Sequence, residues 1–89
     1  MKLARVRGEV VSTVKHPFLE GRLLLLCEFV SPQDEAEGGY TIAVDAVGAG
    51  LGDLVLILDE GNGARQILGG DNGPVRAVIA GIVEEVYAQ

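Results

Sequence analysis

Residues Val44–Asp53 read VDAVGAGLGD, with glycines at 48, 50 and 52. A stretch of this kind is either a phosphate-cradling loop between a strand and a helix or a corner between two strands. The dinucleotide fingerprint needs G-x-G-x-x-G opening into a helix whose N-terminus meets the pyrophosphate. Here the spacing is G-x-G-x-G, and the next residues are LVLIL, 54–58, a short apolar β-type run with no room for that helix. Asp53 would set a negative charge beside the phosphates, and no Gly-Lys-Ser/Thr follows as a P-loop requires. The stretch is therefore read as a strand-to-strand corner, where glycine lets backbones approach closely or take positive φ.

Working outward, YTIAVDAV at 40–47 alternates Tyr40, Ile42, Val44 and Ala46 against Thr41, Ala43, Asp45 and Val47. That two-residue period is the mark of a strand. Near the start of the chain Ala4, Val6, Val10 and Val14 fall on one face, and Arg5, Arg7, Glu9 and Thr13 on the other, with Gly8 marking a bend or bulge. RLLLLCEFV at 22–30 has no period and suits a strand buried on both faces. Ser31-Pro32 ends it, and QDEAEGG, 33–39, is expected to be an acidic loop or hairpin tip.

After LVLIL comes a turn cluster, Asp59 to Gly63, in which Asn62 could cap a single helical turn through Ala64, Arg65 and Gln66. LGGDNGP, 68–74, is a loop with a hairpin-type Asn72-Gly73 pair. The final segment, VRAVIAGIVEEVYAQ, has Val75, Val78, Ile79, Ile82, Val83 and Val86 at helical spacing. Those residues are all β-branched, and Gly81 would cost a helix about 1 kcal/mol, so a strand is the better reading. Five short strands, one short helix and glycine-rich corners predict a mainly β chain: a single domain, 1–89, forming a closed or nearly closed small β-barrel.

So small a domain buries only roughly 60–65% of its unfolded surface and usually needs a staple or a partner. Cys27 is the only cysteine and His16 the only histidine, which excludes an internal disulfide and leaves the usual zinc ligand sets incomplete. Self-association is the remaining route. The apolar pattern agrees: a single barrel has one interior, yet two central strands and part of the last are apolar on both faces. The surplus faces call for cover, and another copy of the chain is the economical source.

The formal charge of −6 opposes attraction to nucleic acid or anionic membrane. No apolar run reaches the roughly 20 residues of a membrane span. MKLARVRGEVV lacks the apolar core of a secretory signal, so a cytoplasmic location is expected. Cys27 lies in an apolar strand, where thiols pack as small hydrophobes, and with His16 it completes no triad. Asp34, Glu35 and Glu37 lack the spacing of a calcium loop. In a strand the neighbours of Asp59-Glu60 or Glu84-Glu85 point apart, so neither pair can work as an acid/base couple. No catalytic, metal or cofactor site is expected; the chain is not read as an enzyme.

The order of VRGEVVSTVKHP, LLLLCEFV, AVDAVGAGLGDLVLIL, EGNGARQ and IAGIVEEV resembles the pentameric vertex proteins of bacterial microcompartments, the CcmL/EutN family of carboxysome and metabolosome shells. The likeness covers about residues 1–87, and its most specific parts are Asp45 with Val47-Gly48-Ala49-Gly50 and Gly63-Ala64-Arg65-Gln66. It implies a five-stranded OB-like barrel with one short helix, assembling as a cyclic homopentamer beside hexameric and pseudohexameric shell proteins. It also implies a purely structural role, closing the vertices of the shell. Asp45, Val47, Gly48, Ala49, Gly50, Asn62, Gly63, Ala64, Arg65 and Gln66 are then the expected subunit-interface and five-fold-axis residues. For Asp45, a hydrogen bond within its own chain is an equal alternative to one between subunits. Where many relatives carry a serine before the Ala-Arg pair, Asn62-Gly63 stands here. The competing function is a small OB-type binding module for single-stranded nucleic acid or oligosaccharide.

Overall fold

The computed structural model of the chain describes residues 1–11, 21–58 and 77–87. Five strands appear among them: β1 (Lys2–Val10), β2 (Leu24–Val30), β3 (Ala36–Asp45), β4 (Leu54–Leu58) and β5 (Val78–Ile82). They close into a barrel in the order β1-β2-β3-β5-β4, with β4 returning to β1. All pairings are antiparallel except β3–β5, which is parallel and joins Val44 to Val78 and Asp45 to Ile79. Closure gives every strand two neighbours, although β3 meets β5 only at Val44 and Asp45, so its residues 36–43 pair with β2 alone among the described residues. No helix occurs among the described residues; the helical turn expected after Asn62 lies outside them.

The interior is narrow and is filled accordingly. Val6, Val55, Ile57 and Ile79 supply the bulk, and Ala4, Ala43, Ala49, Ala77 and Cys27 fill the spaces between them. Small residues beside β-branched ones suit a five-stranded barrel, whose inner surface tapers. Burying Ile57 or Ile79, each fully enclosed, stabilises the fold by about 1.5–3 kcal/mol.

Gly8 does mark a bulge. Val6 pairs with Cys27, but Gly8 pairs with Leu26, so β1 carries one extra residue at that point. Side chains alternate with a period of two, so one inserted residue exchanges the faces of everything after it. Val10 pairs with Leu24 on the outer side and does not continue the Ala4–Val6 row, as the unbroken alternation had suggested.

β3 begins earlier than expected. Ala36–Gly39 belong to the strand, with two extra β3 residues between the pairs Val30↔Ala36 and Glu28↔Tyr40. The hairpin loop shrinks to residues 31–35, where Ser31 Oγ accepts the amides of Gln33 and Glu35 and Asp34 takes φ 64°. At its other end β3 stops at Asp45, two residues short of the expected boundary. The final segment is a strand over Val78–Ile82, in agreement with its β-branched composition.

Candidate functional site at the corner between β3 and β4

The corner is built from the inside by two aspartates. Asp45, the last residue of β3, directs one carboxylate oxygen, Oδ1, at three successive amides: Val47 N at 3.0 Å, Gly48 N at 3.1 Å and Ala49 N at 3.2 Å. Asp53, the residue before β4, accepts the Gly50 amide on Oδ2 at 2.8 Å, while its own amide donates to the Gly50 carbonyl at 3.0 Å. Each carboxylate thus does what aspartate does at helix starts and turns, replacing a missing backbone partner with a side-chain oxygen. Gly48 and Gly52 sit at φ 80° and 88°, a left-handed region that costs other residues steric energy.

Backbone bonds then pin the corner to β1. Gly52 N donates to Val6 O and Val6 N to Asp53 O, both at 2.9 Å. Arg5 adds a fork: one guanidinium nitrogen donates to Gly52 O at 2.9 Å, and the other pairs with Asp34 at 2.8 Å. One side chain therefore ties the β2–β3 hairpin tip to the β3–β4 corner, a planar two-ended contact that lysine would not reproduce. Arg7 pairs with Glu28 at 2.9 Å across β1 and β2. Both pairs are partly exposed and each contributes at most about 1 kcal/mol.

Of the residues expected at a subunit interface, the structure brings together Asp45, Val47, Gly48, Ala49 and Gly50. Asp45 Oδ1 makes its bonds to the amides of its own chain. Ala49 is buried under the barrel, whereas Val47, Gly48 and Gly50 lie exposed. Asn62, Gly63, Ala64, Arg65 and Gln66 lie outside the described residues. Arg5 and Asp53 were not expected to organise the corner. Asp53 carried a signal, an Asx residue three positions after a glycine; Arg5 carried none, because its partners are distant in the chain.

The β3–β4 corner is not a phosphate loop. A strand enters the corner, a strand leaves it, and the amides of residues 47–50 are already taken by aspartate oxygens. Cys27 is fully buried with its thiol over Leu25 O, and its pKa is pushed up to about 11, first by burial and then by the negative charge of Asp45. At neutral pH it is a packed thiol and not a nucleophile. Among the described residues no group of three or more His, Cys, Asp or Glu side chains converges as a metal site.

The corner is thus a structural element whose amides are satisfied by the chain's own aspartates. The family model described as ethanolamine utilisation protein EutN/carboxysome matches residues 1–84. This chain belongs to the EutN/CcmL family. It is 42% identical over 88 residues to the bacterial microcompartment shell vertex protein EutN of Escherichia coli, covering 99% of this chain and 92% of that protein. The carboxysome shell vertex protein CcmL of a Nostoc species is 41% identical over 90 residues, covering 100% of this chain and 88% of the relative. Among solved structures, the GrpN pentameric microcompartment shell protein of Rhodospirillum rubrum superposes with a TM-score of 0.88 at 35% identity, covering both chains completely. The family's relatives are structural shell proteins of both carboxysome and metabolosome type, so the shell reading prevails over the binding-module alternative and over an enzyme.

Proposed function

We propose that this chain is a structural shell protein whose homopentamers cap the vertices of a bacterial microcompartment within the cytoplasm. The observation that supports this most is the end-to-end likeness to a pentameric shell protein, with no part of either chain left over. Facets of such a shell are tiled by hexameric and pseudohexameric proteins, which are the proposed partners. A flat hexagonal sheet cannot close on itself; a five-fold unit removes one wedge at each corner and forces curvature. The whole chain, 1–89, acts as one domain in this role. The exposed part of the β3–β4 corner, together with Asn62–Gln66, borders the five-fold axis or the contacts between neighbours. The formal charge of −6 on every copy is compatible with this and opposes a nucleic-acid role.

Co-expression with the hexameric shell proteins of the same organism tests the proposal. Electron microscopy should show closed polyhedra when this chain is present and open sheets or tubes when it is withheld. Closed shells forming equally well without it would refute the vertex role.

A further inference from the structure

The outside of the barrel holds two surfaces that the chain itself does not explain. On β3 the bulky residues are on the wrong side for a monomer. Ala43 and Thr41 take the core side, whereas Ile42 and Tyr40 pair with Leu26 and Glu28 on the outer side and remain 51% and 60% exposed. The result is an apolar ridge running across the exterior of β2 and β3.

The second surface is a groove of about 410 Å3 between the β1 bulge, the start of β2 and the β3–β4 corner. Gly8 and Gly50 line it, with Leu23 at 50% and Leu51 at 77% exposure beside them. The β1 bulge accounts in part for Gly8, but Gly50 has no such reason within its own chain. Neither takes a left-handed φ; a Cβ on Gly8 would meet nothing within 4 Å, and one on Gly50 only the Asp53 carboxylate at 3.9 Å. Side chains are missing where the single chain has room for them.

We propose that the Gly8/Gly50 groove receives the Tyr40–Ile42 ridge of a second copy of this chain. The inference rests on the ring proposed above and names its contact. A cyclic ring is built head to tail, so each subunit must present two unlike, complementary surfaces. A ridge and a groove are such a pair. Tyr40 and Ile42 on the ridge and Leu23 and Leu51 at the groove together expose on the order of 400 Å2. That is roughly half the apolar area buried by a standard-sized interface, with the half-buried Leu24 and Leu26 beside the ridge to extend it. Charge also fits. The chain is strongly acidic, yet Tyr40 and Ile42 are neutral, and Glu28, opposite Tyr40, is already paired with the groove residue Arg7 of its own chain, which leaves Glu9 as the other charged residue lining the groove. With Glu28 neutralised by Arg7, two copies meet here with little like-charge repulsion.

Native mass spectrometry and cross-linking of the full-length chain test this. Ile42→Glu and Gly50→Trp, each checked for an unchanged circular dichroism spectrum, should lower the pentamer population at least about tenfold at a concentration where the unaltered chain is fully assembled. An Ile42→Cys/Leu51→Cys double variant treated with a short bismaleimide should give a ladder of covalent oligomers up to five, absent from either single variant. If the substitutions disturb folding, the ladder decides, since both cysteines replace exposed side chains. A pentamer that survives both substitutions, or a double variant that gives no ladder, overturns this contact while leaving the ring intact. An unaltered chain that is monomeric removes the ring itself and the contact with it.

Discussion

Replacing Asp45 by alanine removes the acceptor that organises the β3–β4 corner. Hydrogen bonds to a charged group contribute about 1.5–3 kcal/mol each, but the three amides share one oxygen and their energies do not add. The amides of Val47 and Gly48 belong to exposed residues and can turn to water once the carboxylate is gone. The Ala49 amide cannot do so as readily, since that residue is only 7% exposed. Losing one buried partner and part of two exposed ones predicts a cost of about 2–3 kcal/mol, just above the range seen for removal of a helix cap. Asparagine keeps an oxygen of the same shape without the charge, and should cost about 1 kcal/mol. The assay is urea unfolding followed by circular dichroism, repeated over a range of protein concentrations so that assembly is separated from chain stability. The midpoint should fall in the order alanine, asparagine, unaltered chain, with an unchanged slope. Alanine within about 0.5 kcal/mol of the unaltered chain, or asparagine as harmful as alanine, would refute the role given to Oδ1.

Cys27 gives a pH prediction. Its thiol is pushed up from 9.0 to about 11 in the fold, so in alkaline solution the unfolded chain loses this proton first. The stabilisation is complete below pH 9 and is lost as pH rises to about 11, a loss of about 2–3 kcal/mol that Cys27→Ala should not show; equal alkaline slopes for the two chains would contradict it. Glycine substitutions supply a contrast. Gly48→Ala, at φ 80°, should cost about 1 kcal/mol and lower the melting temperature by roughly 4–8 °C, whereas Gly8→Ala should stay within about 0.5 kcal/mol under dissociating conditions. Equal shifts in a thermal melt would show that left-handed backbone is not what selects glycine at the corner.

Much of the barrel is legible in the sequence because strand chemistry is local. The alternation of β1, the apolar run of β2, the short LVLIL strand and the β-branched tail each announce a strand without reference to the others. The corner is legible by elimination, since no helix follows it. What pairing alone decides is not legible. Gly8 signals a bulge, but that the bulge turns Val10 outward depends on its register against β2. Glu37-Gly38-Gly39 reads as loop, yet it pairs as an irregular part of β3 because β2 provides the partner. The alternation of Tyr40 to Val47 is plain, but which row faces inward is set by the narrow interior, which admits Ala43 and Thr41 and leaves Ile42 and Tyr40 outside. For Asp45 the sequence does not show that one oxygen serves three successive amides, which depends on how the corner folds back over the end of β3.

The most direct measurement is the native mass of the purified full-length chain at micromolar concentration. The account predicts one dominant species at five times the 9.3 kDa chain mass, with unfilled rings absent from the spectrum. A dominant monomer, or a stable assembly of any other number of chains, would contradict it.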